Sequence, residues 1–181
     1  MPAGESGLLS GTQKRMLFDI ASHVKRCRRR TLLNAPLQDD EKEPPTWVLF
    51  TGNREAQITA VKLLSYITGL NICRIDPATV ATRYIREAEK NLDRIFADAE
   101  ASQVILFFDE ADTLFGKKTW IRDPGGPEVS SGLRPLLKRM ERYPGIILLS
   151  APAKDDIDPD VLRRVTYVAD FKGPGAEPVE D

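Results

Sequence analysis

The sequence predicts an α/β protein of three layers, with helices on both faces of a five-stranded parallel sheet. Short, continuous apolar runs recur along the chain, among them "WVLFT", "VILFF" and "GIILLS", as strands buried on both faces require. Between them lie longer segments whose apolar residues return at helical spacing. Strands alternating with helices need right-handed crossovers, which put helices on both sides of the sheet. With 181 residues, 41% of them hydrophobic, the chain fits one domain with one real core.

The elements follow in order. From Thr12 to about Arg30, Met16, Leu17, Ile20, Ala21, Val24 and Cys27 recur at helical spacing, which marks an amphipathic helix. The charged, proline-bearing "APLQDDEKEPPT" is a connector, so residues 1–45 form an N-terminal helix and its link. The core spans 46–172. "WVLFT" is its first strand, and "AQITAVKLLSYIT" is a helix ended by Gly69. "NICRI" is the second strand. "EAEKNLDRIFADAEA" sets Leu92, Ile95, Phe96 and Ala99 on one helical face. "VILFF" is the third strand, two-sided and central. "SGLRPLLKRMER" is helical at least from Pro135, since proline is tolerated in a first turn. "GIILLS", "DPDVLRR" and "VTYVADF" read as strand, short helix and fifth strand. The tail, 173–181, has no apolar anchor and is expected to be disordered.

Charge and composition exclude several function classes. The 26 basic and 27 acidic side chains leave a net charge of −1, so the overall field favours neither nucleic acid nor an anionic membrane. No apolar run reaches the length of a membrane span, and "MPAGESG" lacks the layout of a signal peptide. Cys27 and Cys73 match no metal spacing and read as free thiols in a reducing cytoplasm. His23 has no partner at ligand spacing. A cytoplasmic protein is the expectation.

Chemistry-like residues stand at two strand ends, where ligands of parallel sheets bind. In "VILFFDEADTLFG", Asp109 and Glu110 directly follow the most apolar strand. An Asp there can hold a hydrated Mg²⁺, and an adjacent Glu can orient or deprotonate water. Two acids could equally open a helix, but the apolar run before them and "ADTLFG" after them favour a nucleotide site. The other end is "VLFTGNREAQIT", a strand that runs into the length of a phosphate-binding loop.

"RIDPATVATRYIREAEKNLDRIFADAE", "ILFFDEADTLFGKKTWIRD", "LLKRMERYPG" and "DDIDPDVLRRVTYVADF" together resemble the AAA+ ATPases, most closely those of contractile injection systems (phage-tail-like particles). The resemblance spans nearly the whole chain and implies a P-loop NTPase-like core. It also implies roles: Asp109 as the Mg²⁺ ligand and Glu110 as the water-activating acid. Arg163 and Arg164 match arginine fingers that reach a neighbouring subunit's γ-phosphate, and Tyr84 matches the pore-loop aromatic that grips polypeptide.

The departures from that pattern are as informative. A working loop reads G-x-x-x-x-G-K-[ST], its glycines admitting backbone N–H groups to the phosphates and its lysine neutralising them. Here Gly52 and Thr59 survive, but Gln57 replaces the second glycine and Ile58 the lysine. Glu55 adds negative charge where a triphosphate would lie. A charge-assisted hydrogen bond contributes about 1.5–3 kcal/mol, and a left-handed non-glycine residue costs about 1–2 kcal/mol. Losing several such terms weakens binding by powers of ten. Lys62 lies about one turn, ~5.4 Å, further in and falls short; Arg54 is better placed to rescue phosphate binding. Ala151 and Pro152 stand where the family has a sensor asparagine, and Arg86 where it has glycine. The residues that follow Phe171 are expected to supply no counterpart of the family's helical lid.

Other features have plainer readings. "VKRCRRR" is a solvated helix end rather than a nucleic-acid patch, for no aromatics interleave it. "DPGGPEVSSG" reads as a surface loop. Arg163 and Arg164 can serve as surface charges or salt-bridge partners as well as fingers. The expectation is therefore a degenerate AAA+ domain, non-hydrolysing and without cofactor. It would bind a protein partner, such as an injection-system component or an intact AAA+ paralogue, with an oligomer possible. The alternative is an active Mg-ATPase with an atypical loop, using ATP and Mg²⁺.

Overall fold

The structure is a computed structural model and describes residues 9–32, 45–75, 85–116 and 133–171. Five strands form one sheet in the order β2-β3-β4-β1-β5. They are β1 (Thr46–Gly52), β2 (Ile72–Ile75), β3 (Ile105–Phe108), β4 (Ile146–Ser150) and β5 (Tyr167–Phe171). Every pairing is parallel. The helices are α1 (Gly11–Leu32), α2 (Arg54–Thr68), α3 (Ile85–Ser102), α4 (Asp112–Phe115), α5 (Leu133–Arg142) and α6 (Pro159–Leu162), with a 3-10 turn at Lys154–Asp156.

Alternation along the strands divides the core into two layers. Val48 and Phe50 of β1, Ile105 and Phe107 of β3, and Ile146 and Leu148 of β4 face one way. There they meet Leu17, Ile20 and Val24 of α1 and Ala60, Val61 and Leu64 of α2. Trp47 and Leu49, Leu106 and Phe108, and Ile147 and Leu149 face the other way. They pack on Phe96 of α3, Phe115 of α4, Leu136 and Met140 of α5, and Val161 of α6. Successive side chains of a strand point to opposite faces, so a run such as "VILFF" feeds both layers. The sequence-derived α/β/α architecture with five parallel strands is the observed one.

The element ends differ in ways that matter. α2 begins at Arg54, two residues before the "AQIT" reading, because Asn53 caps it: the Asn53 side chain accepts from the Ala56 N–H, as N-cap asparagines do. α4 was not assigned from the sequence, where a helix after the two acids was only the alternative to a nucleotide site; its four residues are too few for periodicity to register. Tyr84, the loop at 117–132 and the tail at 173–181 lie outside the described residues.

Candidate functional site

A cleft of about 290 Å³ opens at the carboxyl ends of β1, β3 and β4, lined by Gly52, Arg54, Gln57, Asp109, Glu110, Asp112, Thr113, Ser150, Ala151 and Pro152. The predicted acids and the predicted loop do meet. Asp109 and Glu110 leave β3, Gly52 ends β1, and Ser150 ends β4. Thr59 lies in the second turn of α2, half-buried and not among the residues lining the cleft.

The stretch that would wrap a phosphate is a helix here. Gly52 has φ +92°, and a Cβ on it would stand 2.5 Å from the Phe171 carbonyl oxygen. Only glycine suits that position. Its N–H donates to the Pro152 carbonyl, and the Asn53 N–H donates to that of Phe171. The Ala56 N–H is taken by the Asn53 side chain and the Gln57 N–H by the Asn53 carbonyl. Phosphate loops aim such amides at their ligand; these are bonded to partners within the chain. Gln57 is buried, and its side-chain amide donates to the carbonyls of Gly52 (2.9 Å) and Ala151 (3.1 Å). The residue in place of the second glycine thus braces β1 against the end of β4.

The acidic pair is engaged in the same manner. Asp109 is 5% exposed. Its Oδ1 accepts from the Ser150 hydroxyl at 3.0 Å. Its Oδ2 accepts from Arg54 at 3.0 Å and Arg74 at 2.6 Å. Arg54 also grips Glu110, and that hydrogen bond, with the Asp109 charge, raises the guanidinium pKa. Glu110 has φ +56°, a left-handed conformation unusual outside glycine. Its N–H donates to the Ser150 hydroxyl and its carbonyl accepts from Thr113. A magnesium ion needs near-octahedral oxygen donors at short range. As arranged, both Asp109 oxygens already accept hydrogen bonds and two cationic groups occupy one of them. The donor set does not fit that ion.

Arg74 and Ser150, which both contact Asp109, are residues of this network that sequence reasoning missed. Arg74 is the charged member of the otherwise apolar run "ICRI", near the carboxyl end of β2; that position was the available signal. Ser150 ends an apolar run and carried none. Arg54, weighed in the sequence only as better placed than Lys62 to rescue phosphate binding, is paired here with Asp109 and Glu110.

The two other arginines sit apart from the cleft, after α6. Arg163 pairs with Asp160 of its own turn and its side chain is 73% exposed. Arg164 pairs with Glu141 of α5 and donates to the Asp160 carbonyl. Arg164 is therefore committed within the domain, while Arg163 faces solvent.

Residues 57–172 match the family model described as "ATPase family associated with various cellular activities (AAA)". The match covers more than half of the chain and begins at Gln57, beyond Gly52. The ATPase family gene 2 protein of Schizosaccharomyces pombe is 28% identical over 143 residues, 75% of this chain and 18% of that protein. A proteasome-activating nucleotidase of Methanococcus maripaludis is 30% identical over 126 residues, 66% of this chain and 31% of the relative. A proteasome-associated ATPase of Pseudarthrobacter chlorophenolicus is 32% identical over 108 residues, 55% of this chain and 18% of the relative. In each case the aligned stretch spans less than a third of the relative's length.

Proposed function

The chain belongs to the AAA family of ATPases, and from that premise we propose that it is a degenerate, non-hydrolysing member that acts by binding other proteins. What supports this reading is the state of the cleft. Arg54, in the first turn of α2, is salt-bridged to both Asp109 and Glu110. The α2 N-terminus offers a capped helix in place of a phosphate cradle. Ile58, at the lysine position, is part of that helix and 38% exposed.

The setting we propose is a contractile injection system or related phage-like assembly, on the strength of the motifs from "RIDPATV" to "VTYVADF". There the domain would be a structural or regulatory component beside an intact paralogue. The second reading is an active Mg-ATPase of remodelling type. The pair Asp109-Glu110 favours it, since an acid held in a left-handed conformation is a recognised mark of functional strain.

A turnover assay separates the two. The purified protein with Mg²⁺-ATP should release no phosphate above the level of a Glu110→Gln variant. Hydrolysis that disappears in Glu110→Gln would establish the active reading and end the first.

A further inference from the structure

We infer that Arg54 and Arg74 act as a built-in substitute for a divalent cation, and that they are what keeps Asp109 from binding one. The inference rests on the non-hydrolysing reading, which it deepens. Three observations converge. Asp109 is 5% exposed, and a buried carboxylate without compensating charge is costly. Its Oδ2 is approached by both guanidiniums, at 3.0 and 2.6 Å. Arg54 reaches on to Glu110. Two guanidiniums thus bring two positive charges to two carboxylates, the same balance that a divalent ion would strike.

The two arginines come from independent elements. Arg54 enters from the start of α2, and Arg74 from the edge strand β2. Ser150 fixes the remaining Asp109 oxygen. The carboxylate is therefore held from three separate elements, α2, β2 and β4, and no single loop movement frees it. Deleting the two cations without touching the acids should reverse the preference. Asp109 and Glu110 would regain open oxygens and a charge deficit, and hard cations take oxygen ligands of that kind.

The test uses Mn²⁺ alone, with no nucleotide, so its result is separate from any result on ATP. The wild-type protein should show no saturable Mn²⁺ binding by paramagnetic relaxation of water protons and no ion-dependent change in melting temperature. Arg54→Ala/Arg74→Ala should bind Mn²⁺, with a rise of roughly 3–6 °C at about tenfold saturation. Adding Asp109→Asn should abolish that response. If the double variant is unfolded without ion, Mn²⁺ must restore its fold; failure to do so overturns the inference. Equal binding by the wild-type protein overturns it too, as does a folded double variant indifferent to Mn²⁺. A wild-type protein that hydrolysed Mg²⁺-ATP yet ignored Mn²⁺ alone would end the non-hydrolysing reading and leave the substitution standing.

Discussion

Asp112 stands at the first position of α4 with its Oδ1 buried and without a hydrogen-bond partner among the described residues. Burial raises its pKa, opposed by its own backbone hydrogen bond and reinforced by the charges of Asp156 and Glu110. A raised folded pKa means that the neutral form suits the fold. Stability from that group is full below the ordinary carboxyl range and is lost as pH rises through the folded value. Asp112→Asn should therefore stabilise the protein at about pH 7, by on the order of 1 kcal/mol. The gain should shrink toward about pH 4, where both states of the wild type carry more proton. Urea melts at the two pH values check this, and a gain that grows toward acid contradicts it. At Gly52 the cost is steric. Gly52→Ala adds about 1–2 kcal/mol of backbone strain to a Cβ contact of 2.5 Å with the Phe171 carbonyl oxygen. Chemical denaturation should show a loss larger than the strain alone; a change under about 0.5 kcal/mol, the range of ordinary surface substitutions, would mean that β1 and β5 separate freely there.

At the scale of elements, the start of α2 decides what the cleft can hold. The sequence shows that the loop lacks its second glycine and its lysine, but not what replaces them. The Asn53 cap was not read from the sequence, and the geometry there also depends on Gly52 and Asn53 bonding to Pro152 and Phe171, contacts far apart in sequence. The long elements were legible because apolar periodicity is a local signal: α1, α2 and all five strands lie within a few residues of their expected positions. The four-residue α4 and the Arg74–Asp109 pair were not, since one is too short for a period and the other joins two strands across the sheet. Two variants examine the element itself. Asn53→Ala should cost about 1 kcal/mol through loss of the cap, measured by thermal or urea unfolding. Ile58→Lys should yield no Mg²⁺-dependent hydrolysis, because the new lysine would stand in the second turn of a helix braced by Gln57. Hydrolysis restored by that single change would mean that the α2 N-terminus can rearrange into a phosphate cradle.

At the scale of the whole molecule, a domain that cannot hold ATP can still complete a neighbour's site. An arginine supplied in trans is worth roughly 10³–10⁵ in turnover in other phosphoryl-transfer systems. Arg163 is the exposed candidate, with a same-turn partner that solvent readily displaces, whereas Arg164 is tied to α5. Mixing this protein with an intact AAA paralogue should raise the paralogue's ATPase rate, and Arg163→Ala should remove the rise without unfolding the domain. A rise that survives Arg163→Ala assigns the effect to some other surface. No helix among the described residues is long and apolar enough to cross a membrane. The central claim, however, concerns this chain alone: we propose that the polar groups lining its cleft, engaged with one another, do not bind nucleotide. Isothermal titration calorimetry with Mg²⁺-ATP addresses it most directly. The account predicts no saturable heat up to about millimolar ligand, where binding amounts to only ~4 kcal/mol; a micromolar dissociation constant would contradict it.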